Sequence, residues 1–449
     1  MTATPQARPW KRALAWLAFL GPFFYLSYGL ANAMAARRAE VPHIAFDWEH
    51  AVPFLAWTIV PYWTTNLFYA ASPFLCRDRN ELDTHCLRLL WVQLLAVTCF
   101  LLWPLAFSFE RPVSDGLFGA MFAALEGFDQ PYNQAPSLHV ALTIILWTLY
   151  ARHLRGAWRW ALHLWFTLVC VSVLTTYQHH FIDIPTGMAA GWLCVWLWPR
   201  DARAPWRDAR PTRDPARWRL AVLYLAGALA AAALAVAGGG GWLWLWWVTL
   251  SLTLVAANYA LLGAAGFQKR ADGRLGTAAR WLYAPYLAAA WINSRWWTRR
   301  QPAPVEVADG VWLGRIPGRS ERAGLAIVDV CAEVSLPGGV REGDRSIPML
   351  DLVVPEPAPL RQAAEAIEHA AARGPVLVCC ALGYSRRAVS VAAWLLASGR
   401  AASVDDAITR VRAARPQVVL REGHRNALRS IAGDGRPQSV QSGLQASVS

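Results

Sequence analysis

Two groups of residues in this chain have types and spacings that suit chemistry on a phosphate. In the first, the apolar run Val376-Leu-Val leads into Cys379-Cys380-Ala-Leu-Gly383-Tyr-Ser385-Arg386, after which a helical pattern begins. A loop wound from a strand end to a helix start turns successive backbone N–H groups inward, a cradle suited to a phosphate dianion. Gly383 permits the tight path, and Ser385 is a further phosphate-binding candidate. Cys380 at the base would have its thiolate stabilised by the helix N-terminus and by Arg386, whose planar fork can hold two phosphoryl oxygens. In the second group, Pro136-Ser137-Leu138-His139 is followed by His179-His180-Phe-Ile-Asp183. Ionisable groups at the ends of apolar segments are costly and mark function. The i, i+4 spacing puts His179 and Asp183 on one helical face. Asp183 can then orient the ring and leave its other nitrogen nucleophilic, while His139 protonates a departing group.

The elements that must position these residues differ in kind. The chain of 449 residues is 55 % hydrophobic and holds 26 tryptophans, above the roughly 45–50 % apolar share of soluble domains. The excess is concentrated between residues 14 and 265. Spans of the length a bilayer needs can be drawn at 14–35, 52–75, 89–109, 136–151, 160–176, 181–198, 220–237 and 242–265. The first is long for a signal core and reads as a retained helix. Lys11, Arg77, Arg79, Arg152, Arg155 and the arginines from Arg200 to Arg219 fall on one side of these spans. Arg37, Arg38 and Arg111 fall on the other. The richer side is expected to be cytoplasmic, which puts both termini there. The net charge of +13 thus belongs to membrane topology and anionic lipid, not to nucleic acid.

Residues 1–265 are therefore expected to form a polytopic α-helical membrane domain of about eight spans. Residues 266–303 form a linker whose stretch from Arg280 to Trp297 suits a helix lying in the membrane interface. Residues 304–432 alternate short β-rich and helical runs, as in a soluble α/β domain with a central, mostly parallel sheet. Residues 433–449, rich in Ser, Gln and Gly, are expected to be a disordered tail.

The cysteine run resembles the signature of the cysteine-based, dual-specificity phosphatases over roughly residues 304–432, with Val311-Trp312-Leu313-Gly314 and the run Asp329 to Glu333 as supporting matches. The resemblance implies that Cys380 attacks phosphorus and that an upstream aspartate protonates the leaving oxygen. Asp351, 29 residues before Cys380, fits that place, and Asp344 is the weaker candidate. Two places depart from the family: Cys379 stands where a histidine is usual, and Arg387 where a Ser or Thr hydroxyl assists thiolate release.

The histidine group resembles the type-2 phosphatidic acid phosphatase superfamily over roughly residues 50–200. That resemblance implies His179 as nucleophile, Asp183 as its orienter, His139 as acid, and Ser137 and Arg111 near the phosphate. Two of the family's phosphate-binding cations are replaced, by Pro104 and Val173. The Pro-Ser-Leu-His and His-His-x-x-Asp forms are closer to the inositol phosphorylceramide synthase-like branch, which moves head groups between lipids.

Together the two resemblances imply a bacterial inner-membrane fusion enzyme of phospholipid or lipid head-group metabolism. It would be a phosphoric monoester hydrolase with a possible lipid phosphotransferase site, acting on phosphorylated lipids without a metal or other cofactor. A membrane-anchored protein phosphatase acting on phosphoproteins, and a phosphate-binding pseudo-phosphatase, are the alternatives.

Overall fold

The computed structural model describes residues 8–434 except Arg319, Ala323, Leu382 and Gly383. The expected tail therefore lies outside the described residues from 435 onward, and so does the expected cradle residue Gly383. Packing divides the chain into two compact units, one ending at Ala204 and the other beginning at Pro205.

The first unit is helical: α1 Trp10–Ala35, α2 Ile59–Leu75, α3 Arg79–Leu102, α4 Gly116–Glu126, α5 Leu138–His153, α6 Gly156–Thr175 and α7 Asp183–Leu197. Side-chain caps set two of the starts. Asp78 accepts the Glu81 N–H ahead of α3, and Ser137 accepts the Val140 N–H ahead of α5. Helix α5 packs against α2, α3, α6 and α7, and its residues from Leu138 to Leu146 are buried apart from a partly buried His139, as expected of a helix that is apolar all round. Gly187 and Gly191 let α7 approach it closely. A Cβ on either would meet the Ser137 or Ala141 carbonyl oxygen at 2.5 or 2.7 Å. That approach brings the start of α7 beside the start of α5, where the histidines lie.

The second unit opens with α8 Pro215–Gly238 and α9 Leu245–Ala257, the latter continued by a π-helical turn over Asn258–Leu262 and a 3-10 turn over Gly263–Phe267. Helices α10 Thr277–Leu282 and α11 Ala284–Thr298 lead to β1 Val305–Ala308, β2 Val311–Arg315, β3 Ala326–Cys331 and β4 Arg345–Met349. Next come α12 Pro357–Ala371, β5 Val376–Cys380, α13 Arg386–Ala397, α14 Val404–Ala414 and α15 Glu422–Asp434. The sheet order is β1-β2-β5-β3-β4. β2, β5, β3 and β4 run parallel, and β1 is an antiparallel edge, so the sheet is mixed. Central β5 is buried along its whole length, which explains its uninterrupted apolar sequence.

Hydropathy and packing read the chain differently in two respects. Hydropathy sets a boundary at residue 265, whereas packing sets it at 204/205. The segment from α8 onward is tied to the sheet domain, most tightly through Lys269, whose buried ammonium donates to Asp329 Oδ2 (2.5 Å) and to the Cys331 and Val334 carbonyls. A helix occurs at each expected span, but five among the described residues are long and apolar enough to cross a membrane: 10–35, 79–102, 156–175, 215–238 and 240–267. Helices α2, α5 and α7 have 17, 16 and 15 residues. At about 1.5 Å per residue they fall short of a hydrocarbon core about 30 Å thick. In the stretch expected at the interface, α11 turns Ser294 and Thr298 inward and leaves Trp291, Ile292, Trp296 and Trp297 exposed.

Candidate active sites

Strand β5 delivers Cys380 at its C-terminal end, 1 % exposed, with Cys379 buried on the alternate face. The Cys380 carbonyl accepts the Ile316 N–H at 3.1 Å, which pins the strand end. Arg386 opens α13 fully buried. Its NH1 donates to Glu333 Oε2 (2.7 Å) and its NH2 to Glu333 Oε1 (2.6 Å), a two-point pair that holds the guanidinium plane. NH1 also donates to the Met349 carbonyl at 2.9 Å, and NH2 lies 3.0 Å from Asp351 Oδ1. Nε is buried without a hydrogen-bond partner among the described residues, so it is available to a phosphoryl oxygen.

The two carboxyls sharing Arg386 are driven apart. Burial raises the Glu333 pKa, but the charge and hydrogen bonds of Arg386 outweigh it and hold the group below its ordinary range. Asp351 is raised, chiefly by burial and also by the neighbouring Glu333 charge, against the pull of Arg386. One carboxylate thus stays ionised to hold the arginine, and the other is poised to carry a proton.

Apolar elements of the same unit lie on this site. The Tyr259 hydroxyl donates to the Asp351 carbonyl at 3.1 Å. Tyr224 of α8 stacks on Tyr259 at 5.5 Å and meets Tyr286 of α11 edge-on at 5.8 Å. Ser294 donates to the Ala381 carbonyl at 2.5 Å, and the Tyr384 hydroxyl donates to the Trp297 carbonyl at 3.1 Å.

In the first unit, His179 Nδ1 lies 3.1 Å from Asp183 Oδ2, which also accepts the His180 N–H at 3.2 Å. Toward an ionised Asp183, which can only accept, Nδ1 is the donor of this pair. His139 Nε2 pairs with the Thr65 hydroxyl at 2.8 Å, and its ring stacks on Tyr62 at 4.0 Å. The Ser137 N–H donates to the Asp183 carbonyl at 3.1 Å, joining the two helix starts. Asp129 lies within electrostatic reach of His179 and Arg111, and His179 within reach of His139. Arg111 donates to Glu126 at 2.8 Å and to the Thr176 and Tyr177 carbonyls, and its guanidinium lies over the Phe122 ring at 4.9 Å. His180 is held from both sides: Nε2 accepts the Ser108 N–H at 3.1 Å, and Nδ1 faces Glu49 Oε2 at 3.0 Å. A small cavity is lined by Glu49, Val52, Phe107, Phe109, Leu174, Tyr177 and His179.

The family described as "Dual specificity phosphatase, catalytic domain" matches residues 331–432, and the PAP2 superfamily matches residues 42–197. The chain carries both domains. With this catalytic domain it is a phosphoric monoester hydrolase acting on phosphorylated substrates. Solved structures similar to it include Tk-PTP in the active form (24 % identity, 30 % of this chain and 98 % of that one, TM-score 0.27). Human DUSP28 matches at 28 % identity over 29 % of this chain and 96 % of that one, TM-score 0.26. PTPMT1 in complex with PI(5)P matches at 20 % identity over 29 % and 94 %, TM-score 0.26. A comparison with curated protein sequences returns no match.

Within the dual-specificity domain, Cys380, Arg386 and Asp351 end on elements that meet at the C-terminal edge of the parallel strands. Asp344 lies elsewhere: it pairs with buried Arg322 and accepts the Ile327 and Arg341 N–H groups. Ser385 shares a 2.8 Å hydrogen bond with His424 of α15. Within the PAP2 domain, His179, Asp183 and His139 sit at adjoining helix starts, and Ser137 is engaged as the α5 cap. Pro104 and Val173 are buried. The Val173 carbonyl accepts the Gln178 and His179 N–H groups, so a backbone acceptor holds the histidine turn where the family places a cation. Sequence reasoning passed over the Glu333 clamp, Tyr259, Lys269, Glu49 and Asp129. Two carried a signal. Glu333 closes the quoted run from Asp329, and Lys269 is one of only two lysines. The others are acid or aromatic residues in segments remote in sequence.

Proposed function

We propose that the protein is a membrane-bound phosphatase of phospholipid or lipid head-group metabolism whose cysteine site removes phosphate from a phosphorylated lipid head group. The observation that carries this reading is the hydrogen bond from Tyr259 to the Asp351 backbone. Tyr259 belongs to the helical stretch 240–267, which is long and apolar enough to cross a membrane. A substrate entering beside that stretch meets tyrosine hydroxyls and an apolar wall together, as a head group joined to acyl chains requires. Holding the site at the bilayer also raises the effective concentration of lipid. In this reading the Cys380 sulfur attacks phosphorus, Arg386 Nε holds a phosphoryl oxygen, and Asp351 protonates the leaving oxygen. Water activated by the Asp351 carboxylate then displaces the sulfur from phosphorus.

The histidine site is proposed to transfer or hydrolyse a lipid head group. His179 attacks, Asp183 holds its imidazolium form, and His139 protonates the departing oxygen. Pro104 and Val173 in place of two cations, with Asp129, Asp183 and Glu49 close to His179, favour a singly charged diester over a dianionic monoester. The wider arrangement remains a proposal on the positive-residue pattern. It has eight helical passages in an inner membrane and both ends cytoplasmic, with the short helices α2, α5 and α7 crossing where the bilayer is locally thinned.

The test is phosphate release by the detergent-purified chain from a panel of phosphorylated lipids and phosphopeptides, beside Cys380→Ser and His179→Ala. Release from lipids that Cys380→Ser abolishes supports the reading. Release from phosphopeptides alone would replace it with a membrane-anchored protein phosphatase. Phosphate binding without turnover, unchanged in Cys380→Ser, would make the domain a binding module.

A further inference from the structure

The dual-specificity domain buries several arginines, and most have acceptors. Arg386 has Glu333, Asp351 and the Met349 carbonyl. Arg322 has Asp344 and the Pro337 and Gly339 carbonyls. Arg415 donates to the Ala303 and Gln301 carbonyls. Arg387 differs. It is 0 % exposed, and its Nε, NH1 and NH2 all lack a hydrogen-bond partner among the described residues. A guanidinium cannot shed its charge at ordinary pH, and an uncompensated buried cation is strongly destabilising. Such a group calls for an anion.

The fold supplies one candidate. Arg387 is the second residue of α13, directly after the arginine that closes the loop from Cys380, and Cys380 is itself buried at the end of β5. Burial pushes the Arg387 pKa down to about 10. Cys380 is the foremost influence in the other direction, ahead of Cys379 and Tyr384, while Arg415 adds a repulsion. The charged and titratable neighbours are therefore Arg386 and Arg387 on α13, Tyr384 in the loop, Arg415 after α14, and Cys379 on the strand. Glu333 and Asp351 both face Arg386 instead.

We infer that Arg387 is the counter-ion of the Cys380 thiolate, a positioning residue that substitutes a full positive charge for the hydroxyl usual at this place. When the Cys380 S–H gives its proton to solvent, the sulfur and guanidinium become a neutral, desolvated pair. When water attacks the phosphocysteine at phosphorus, the P–S bond breaks and its electron pair returns to sulfur beside the same cation. The residue that looked in the sequence like a loss of function thus replaces a dipole with a charge.

The test is the rate of Cys380 alkylation by iodoacetamide against pH, read by mass spectrometry on the full-length detergent-purified chain carrying Cys379→Ala. The expected result is rapid alkylation of Cys380 in the parent chain already at about pH 6, where an ordinary thiol reacts slowly. In Arg387→Met the rate at about pH 6 should fall at least about tenfold and converge on the parent at about pH 10, a shift of one pKa unit or more. Arg387→Lys should restore most of the low-pH rate. A parent thiol titrating at the ordinary value overturns the inference even if Arg387→Met does not fold. So does an Arg387→Met profile identical to the parent's. The inference rests on Cys380 being the reactive thiol, but the assay needs no turnover. An Arg387-dependent thiolate in a chain that releases no phosphate would sink the proposed function and leave the counter-ion standing.

Discussion

The two candidate sites handle charge in opposite ways. In the cysteine site Arg386 and Arg387 are buried within a few residues of the nucleophile, and one carboxylate, Glu333, serves to hold a cation in place. In the histidine site Glu49, Asp129 and Asp183 lie near His179, and the expected cations at two places are Pro104 and Val173. The first field is rich in cations, as a dianionic monoester requires, and the second sets carboxyls against its histidines. In the function proposed above, the first site removes a terminal phosphate and the second acts on a less charged ester. Domain family alone would not separate them, since both families contain phosphatases.

The sharpest way to break that contrast is to remove each nucleophile. Cys380→Ser should lower phosphate release from monoester lipids by at least about a thousandfold, since the covalent route is lost. His179→Ala should leave that release unchanged and abolish head-group exchange between radiolabelled lipids. Crossed effects would show that the sites share one reaction. Next in size, Asp351→Asn should cost about 10²–10³ in kcat with substrates whose leaving group needs a proton. It should cost much less with an aryl phosphate. Because the Asp351 carboxyl is raised by burial, it stays protonated to higher pH than an exposed aspartate. Parent activity should fall as pH rises through that raised pKa, and Asp351→Asn should lack this alkaline limb.

A smaller effect should follow from Glu333→Gln, which leaves Arg386 buried with half its compensation. Chemical denaturation should report a loss of about 3 kcal/mol, together with weaker binding of vanadate. The smallest effect should come from Tyr259→Phe. Removing one hydroxyl should raise KM for long-chain lipid substrates about fivefold while leaving a short-chain substrate unaffected. Equal effects on both substrates would separate Tyr259 from lipid recognition.

Much of this was legible locally. Cys380, Gly383, Ser385 and Arg386 are close in sequence, and His179 and Asp183 are one helical turn apart, so spacing alone constrains their geometry. The strand-to-helix passage followed from β5 being apolar without interruption. Asp351 could be placed by its distance from Cys380 only because the cysteine motif was already in hand. Span number was less legible. Hydropathy counts apolar residues, but α5 is apolar because it lies inside the unit, and its 16 residues are short for a crossing.

What the sequence determined by itself was therefore the chemistry available: a thiol, an arginine-closed loop and a histidine–aspartate turn, each set by covalent proximity. The tertiary structure decided which charges those groups would meet. Glu333 reaches Arg386 across 53 residues, Glu49 reaches His180 across 131, and Tyr259 reaches Asp351 across 92. Arg387, adjacent to the motif, reads in the sequence as a missing hydroxyl. Only burial, which strips it of water and leaves its three nitrogens without acceptors among the described residues, shows it as a charge awaiting an anion.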